Sequence, residues 1–500
     1  MVGIVIFATW IGSLAWLAQR TWFPTASRRA VPVIAPVSPA AAYYSLSIAG
    51  ASVGFASLTL DTTLTSVDVT ELIDVRLPDA DTVLRIVQRT RSSFDRSLSF
   101  QGVMVSRSQS GERTELRATA LGDSAMAWQS GPEGRPGRAD TASVPRTTAA
   151  PPSALPLLVV TLRPPAPGMV RKVGLIDPLR RALVQVDVTV LSDSTLVVPD
   201  SAAVNPVTGL WEPARWDTLR AWQIRRRGDG PPVTLWVDED GLPVHGELLP
   251  GLVAERQPFE IATNAYRQQF ANGARGDARS PASATVRTAP ARIPAMLVQL
   301  ARVAQDTAGW ARADLTGGSQ WLSGDTLHLS LDTASTGRSF AGPGTLEALV
   351  PDNDRATRIQ AGRLVAGETD QHRIVERLVA WVSTEVAATP NPGLPNPRRA
   401  LRTRQGDASD RAILFVALAR AAGLEARPVA GIVAQAGGWG RHAWAEVKLG
   451  GWVPADPSFG MFPAGAGYVR LGAGAPADPL FLVPLAASLA PERLTRQETP

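Results

Sequence analysis

One stretch opens Gly406-Asp407-Ala408-Ser409-Asp410, continues Arg411-Ala412-Ile413-Leu414-Phe415-Val416-Ala417-Leu418 and closes on Gly423-Leu424. Two blocks follow it, Arg441-His442-Ala443-Trp444-Ala445-Glu446-Val447 and Gly451-Trp452-Val453-Pro454-Ala455-Asp456-Pro457. The first predicts a helix that starts near Ala408, because Ile413, Leu414, Ala417, Leu418 and Ala421 recur at helical spacing. Asp407 and Asp410 put negative charge at its start, where the helix dipole is positive. The other two predict neighbouring strands joined by a hairpin. Such a hairpin brings His442 near Asp456, fourteen positions further on.

Taken together, in this order and with these gaps, the three blocks resemble the transglutaminase-like core, a branch of the papain-like cysteine enzymes that includes bacterial proteases, amidases and true transglutaminases. The resemblance covers about Gln371 to Phe462. It implies a relay in which a cysteine at the helix start is the nucleophile, favoured there as thiolate by the helix dipole. A histidine takes the thiol proton and an aspartate holds the imidazole in the useful tautomer. His442 and Asp456 match the last two positions. The cysteine position is Ala408, and a methyl group cannot form an acyl intermediate. Ser409 sits one helical step away, a rotation of about 100° that turns it from the same spot. The resemblance therefore implies vestigial triad positions at Ala408, His442 and Asp456, with the last two as a hydrogen-bonded brace. Trp444 and Trp452 read as core and wall of the former cleft.

Outward from these blocks, Gln371 to Thr389 predicts an amphipathic helix through Ile374, Val375, Leu378, Val379, Val382 and Val386, ended by Pro390, Pro392, Pro395 and Pro397. Residues 366–500 are assigned to the transglutaminase-like domain and 291–365 to a small α/β segment. Within the latter, Ile293 to Ala304 is apolar enough for a helix, and Asp314 to Leu331 holds two strand-like runs. The polar stretch 272–290 reads as a linker. Residues 43–271 read as an antiparallel β-rich domain. Tyr44, Leu46 and Ile48 alternate, as do Val184, Val186, Val188 and Val190, and Val233, Leu235 and Val237 lead into a turn at Asp240-Gly241.

The amino terminus reads differently. No charged side chain interrupts Met1 to Gln19, and Ile4, Ile6, Phe7, Trp10, Leu14 and Leu17 make it strongly apolar. Residues 1–23 are long enough to be a transmembrane anchor, and 24–42 form a Pro-rich spacer. Arg20, Arg28 and Arg29 follow the apolar run, which by the positive-inside rule leaves the body in the cytoplasm. The resemblance instead implies a periplasmic or other extracytoplasmic body, and that placement is taken here. The expected fold class is α+β: an N-terminal transmembrane helix, an antiparallel β-rich domain and a C-terminal papain-like, transglutaminase-like core.

Composition excludes several chemistries. The chain of 500 residues has no cysteine, hence no disulfide, iron–sulfur cluster, cysteine-ligated zinc or thiol nucleophile. His245, His328, His372 and His442 form no close pair, so no metal or other cofactor is expected. Lys172 and Lys448 are the only lysines among 50 basic residues, and the net charge of +5 is scattered, so nucleic acid is not an expected partner. The expected function is a membrane-anchored, non-catalytic pseudoenzyme, a structural accessory subunit that braces a larger membrane complex, respiratory or photosynthetic, through protein partners. Two readings stay open beside it: an extracytoplasmic thiol protease or amidase represented by a Cys-to-Ala variant, and a peptide- or cell-wall-binding pseudoenzyme.

Overall fold

The computed structural model describes residues 36–495 apart from 80–81, 110, 123–124, 136, 138–139, 144–148, 162–163, 178–181, 229–231, 265–283, 287, 301–314, 332–353, 391–394, 436–437, 474–477 and 490. Alternating apolar residues in the first half of the chain fold into strands β1 Ala40–Ile48, β2 Ala51–Thr62, β3 Ser66–Asp79, β4 Thr82–Asp95, β5 Phe100–Gln109, β6 Glu112–Leu121, β7 Ala125–Pro132, β8 Asp140–Ser143, β9 Ala149–Ala150, β10 Val170–Asp177, β11 Ala182–Val204, β12 Trp211–Arg227, β13 Val233–Asp238, β14 Pro243–Leu249 and β15 Leu252–Gln257. All fifteen belong to one sheet, ordered β8 back to β1 and then β15 back to β9. Two meanders thus join where β1 pairs antiparallel with β15, Tyr43 opposite Gln257. The buried face carries Tyr44, Leu46 and Ile48 of β1 and Val184, Val186, Val188 and Val190 of β11. A short helix, α1 Leu155–Thr161, fills this core with Leu155, Leu157 and Leu158. Gly241 permits the fit: its φ is +80°, and a Cβ there would lie 2.5 Å from Leu157 Cα.

The second half builds strands β16 Ala284–Thr285, β17 Ala295–Leu300, β18 Gln320–Ser323, β19 Thr326–Ser330, β20 Ala387–Ala388, β21 Gln405–Gly406, β22 Ala426–Gln435, β23 Gly438–Leu449, β24 Gly451–Ala455, β25 Tyr468–Ala473 and β26 Pro491–Thr495. The helices are α2 Arg355–Val365, α3 Gln371–Glu385, α4 Pro397–Thr403, α5 Ala408–Ala421 and α6 Pro479–Leu489. One sheet runs β16-β23-β22-β25, with β24 also on β23, and another runs β18-β19-β17-β26. Ala361 of α2, the Ile374–Val382 stripe of α3 and the apolar body of α5 share a core with Ala445 and Val447 of β23.

Three expectations are corrected. The fold is mostly β, 55% strand against 19% helix, where an α+β class was expected. Sheet pairing organises both halves, and the helices of the second half cover sheets. No helix among the described residues is long and apolar enough to cross a membrane. The transmembrane helix expected at 1–23 lies outside the described residues, as do residues 24–35 of the spacer and most of the 272–290 linker. The helix expected over 293–304 is also replaced, as far as 300, by strand β17. Met296, Val298 and Leu300 are buried in alternation between β19 and β26. Periodicity does not separate helix from strand in so short an apolar run.

Helix α6 joins the two halves. Leu480, Val483 and Ala487 belong to the core of the fifteen-stranded sheet. Leu482 and Ala486 belong to the core formed with β17, β22 and β25. Just before the helix, Asp478 receives two hydrogen bonds from the Arg107 guanidinium of β5, at 2.6 and 2.7 Å, with both side chains buried. Burial alone would raise the Asp478 pKa, but Arg107 outweighs it and holds the carboxyl below its ordinary range. Removing one member of a buried ion pair leaves the other charge unsolvated and costs about 3–5 kcal/mol. Asp478→Asn is therefore expected to lower the unfolding free energy by about that amount in urea titrations, and Arg107→Leu/Asp478→Leu together by clearly less.

Candidate functional site

The candidate site lies on the central strand β23, which neighbours cover on both faces. Residues Gly440 to Val447 are all buried. β22 pairs with it so that Gly431 stands opposite His442 and Val429 opposite Trp444. β24 returns on the other edge after a turn at Gly450, with Ala445 opposite Ala455. The hairpin read from the sequence is thus present, and it delivers Asp456 directly after β24. Gly431 matters here for room: a Cβ would sit 2.0 Å from Val469 O and 2.9 Å from the Trp444 ring.

His442 Nε2 lies 2.8 Å from Asp456 Oδ2, with the two residues 2% and 0% exposed. The Tyr468 hydroxyl donates to the same oxygen at 2.7 Å, and the Ser458 backbone N–H donates to Oδ1 at 2.8 Å. Burial would push the Asp456 pKa up, but His442, Tyr468 and Ser458 together hold it below the ordinary carboxylate range. The Tyr468 hydroxyl is pushed up, first by burial and then by Asp456. The Phe459 ring stacks on His442 at 5.4 Å and the Trp444 ring at 6.5 Å. His442 Nδ1 is buried and has no hydrogen-bond partner among the described residues.

The start of α5 approaches this group from another side. Asp407 caps the helix and, with Asp410, forms a reciprocal capping box. Asp410 is fully buried, where it accepts from the Arg399 guanidinium at 2.7 Å and from Asn396 N–H at 2.9 Å. Gly406 makes space for it, since a Cβ there would lie 2.5 Å from Asp410 Cβ. Ala408 and Ser409 follow the cap, half-buried. One turn on, buried Arg411 donates to Ser458 O at 2.9 Å and to Val386 O. Its pKa is lowered by burial, against the pull of Asp456 and Asp407. Through Arg411 the first turn of the helix meets the loop that carries Asp456.

Chemically, the arrangement is a base with its orienter. It lacks a nucleophilic side chain at position 408. The structure brings His442, Asp456 and Trp444 together. It places Trp452 elsewhere, under the Arg427 guanidinium at 4.0 Å. Arg427 also pairs with buried Glu446 at 2.5 Å, and Arg470 reaches the same carboxylate at 3.3 Å. Burial opposes ionisation of Glu446, but Arg470 and Arg427 hold its pKa below the ordinary range. Sequence reading missed Tyr468, Phe459 and Arg411. Arg411 carries a signal, being the single charge in the apolar run from 411 to 419. Among the described residues no group of three His, Asp or Glu side chains could hold a metal ion.

Residues 359–457 match the family model of the transglutaminase-like superfamily, from within α2 to just past Asp456. No curated protein matches the chain. Among solved structures, the chain is similar to a β-barrel-like protein of a domain of unknown function from Brucella abortus, at 11% identity and a TM-score of 0.33, covering 45% of this chain and 98% of that one. It is similar to a putative cysteine protease from Cytophaga hutchinsonii at 13% identity and a TM-score of 0.22, covering 41% and 82%. It is also similar to a putative protease from Parabacteroides distasonis at 10% identity and a TM-score of 0.20, covering 55% and 63%.

The two ends of the site titrate in opposite senses. Asp456 has a depressed pKa, so its contribution to stability is complete above the unfolded value of about 4 and is lost as pH falls through the native one. Asp407 is raised, by burial first and by Asp410 second. Its contribution is complete below about pH 4 and is lost as pH rises through its native pKa. Asp407→Asn, which keeps a capping side chain, is expected to flatten the stability loss between pH 4 and 8. Asp456→Asn is expected to flatten the loss below pH 4. Thermal unfolding across this range checks both.

Proposed function

We propose that this chain, which carries a transglutaminase-like core at residues 359–457, is a pseudoenzyme. It serves as a structural and interaction subunit and engages protein partners in a larger assembly. One observation carries the reading. His442 and Asp456 are paired and sealed beneath Phe459 and Trp444, while the position that the family gives to its cysteine is Ala408 and the chain holds no cysteine. A thiol protease or amidase needs the acyl acceptor that a methyl group cannot supply. A peptide-binding cleft needs the His–Asp pair within reach of a ligand, whereas both residues are buried. What remains for the pair is bracing: it ties β23 to the loop after β24 and to Tyr468 of β25. Partner contacts then fall on other surfaces of the chain. The family match also supports an extracytoplasmic body.

His442→Ala strands the Asp456 carboxylate without its principal partner, and the expected stability loss is about 3–5 kcal/mol. Amide hydrolysis and acyl transfer, assayed with peptide and glutamine-donor substrates, are expected at background in both the wild-type chain and His442→Ala. Turnover by the wild type that disappears in His442→Ala overturns the pseudoenzyme reading. On gentle extraction from its native source, the chain is expected to migrate within an assembly larger than itself. Migration as a free monomer overturns the subunit role.

A further inference from the structure

Strands β11 and β12 outrun the sheet that holds them. β10 pairs with β11 only as far as Thr189, and β13 pairs with β12 only from Ala221 onward. Beyond these limits the two strands pair with each other out to Val204 and Trp211. At about 3.4 Å per residue the arm reaches roughly 40 Å from Ser192 to its tip. A lone two-stranded ribbon is marginally stable in water, and the base of this one is seated: Leu196, Val198, Leu219 and Ala221 pack with Trp236 and Val244. The opposite face is not seated. Val197 is 63% exposed and Trp216 57%. Among the described residues, no strand pairs with the outer edge of β12 between Trp211 and Arg220.

A free strand edge is a template for another strand, and the residues around Trp216 specify which one. Arg215 and Asp217 share one face and Trp216 points to the other. A two-fold axis through Trp216 sets Arg215 of each copy opposite Asp217 of the other and places the two Trp216 rings side by side. The intrachain pair Asp200–Arg215 lies on the Arg215/Asp217 face, so there the ions of two copies would form one network. Exposed Trp with neighbouring Arg is also the composition of interface hot spots. We propose that the arm is a homodimerisation element: β12 of one copy pairs edge to edge and antiparallel with β12 of a second copy about Trp216. The four-stranded ribbon β11-β12-β12-β11 that results carries an apolar centre on one face and reciprocal ion pairs on the other. This inference does not rest on the pseudoenzyme reading.

Sedimentation of the full chain over a concentration series tests it. The wild type is expected to dimerise, and less tightly in high salt, because the ion pairs are exposed. Arg215→Asp alone sets acid against acid across the axis, and Asp217→Arg alone sets base against base. Each is expected to raise the dimer dissociation constant about tenfold or more, since two like-charge pairs replace two opposite ones. Their far-UV circular dichroism should be unchanged, as both sites are exposed. Mixing the two variants in equal amounts recreates both opposite pairs and is expected to restore dimers, although Arg215→Asp has also lost its intrachain partner Asp200. A wild type that is monomeric at every concentration, single variants that dimerise like the wild type, or a mixture no tighter than its components would each overturn the proposal.

Discussion

Arg107 and Asp478 meet with side chains only 8% and 9% exposed, 371 residues apart along the chain. An ion pair in such a place is a poor source of net stability, because desolvation consumes much of the attraction. It is a strong constraint on geometry, because either partner alone is costly to bury. The pair pins the start of α6 to β5 of the large sheet, and α6 then inserts apolar side chains into two cores at once. Leu480, Val483 and Ala487 lie at helical spacing on one side, and Leu482 and Ala486 on another. Both halves of the chain are therefore packed against the same two turns of helix.

The site follows a similar logic of enclosure. Asp456 accepts from an imidazole, a phenol and a backbone amide, so a carboxylate that burial alone would neutralise stays ionised. Glu446, four residues beyond His442 on the same strand, is kept charged by two arginines. One strand of the region that matches the transglutaminase-like model thus carries two buried acid–base groups, and His442 Nδ1 is left without a hydrogen-bond partner among the described residues.

Much of this was legible in the sequence. The order of the three blocks around Ala408, His442 and Asp456 fixed the helix, the hairpin and the His–Asp pair. Clean alternation at Val184–Val190 and Val233–Val237, with Asp240-Gly241 after it, marked strands and their turn. The rest lay beyond local pattern. Met296, Val298 and Leu300 suit either period, and only neighbouring strands decide for β17. Tyr468 reaches Asp456 because β25 pairs with β22, a long-range pairing that no nearby residue announces. Trp452 looked like a companion of Trp444 from its place in the motif, but it sits on β24, where Arg427 covers it. The double use of α6 is equally silent, since an apolar helix does not state how many cores it serves.

The seam between β1 and β15 has a consequence for how the large sheet assembles. Every other antiparallel neighbour in that sheet is also a neighbour in sequence, so each meander can grow hairpin upon hairpin from contacts close along the chain. Such contacts form early, because little loop entropy opposes them. The seam alone must bring Tyr43 to Gln257. In kinetic terms the sheet is two locally zippered ladders and a single distant stitch. A nascent chain could complete the ladder from β1 to β8 while β15 was still unmade, holding the open edge of β1 as the place where the second ladder must arrive.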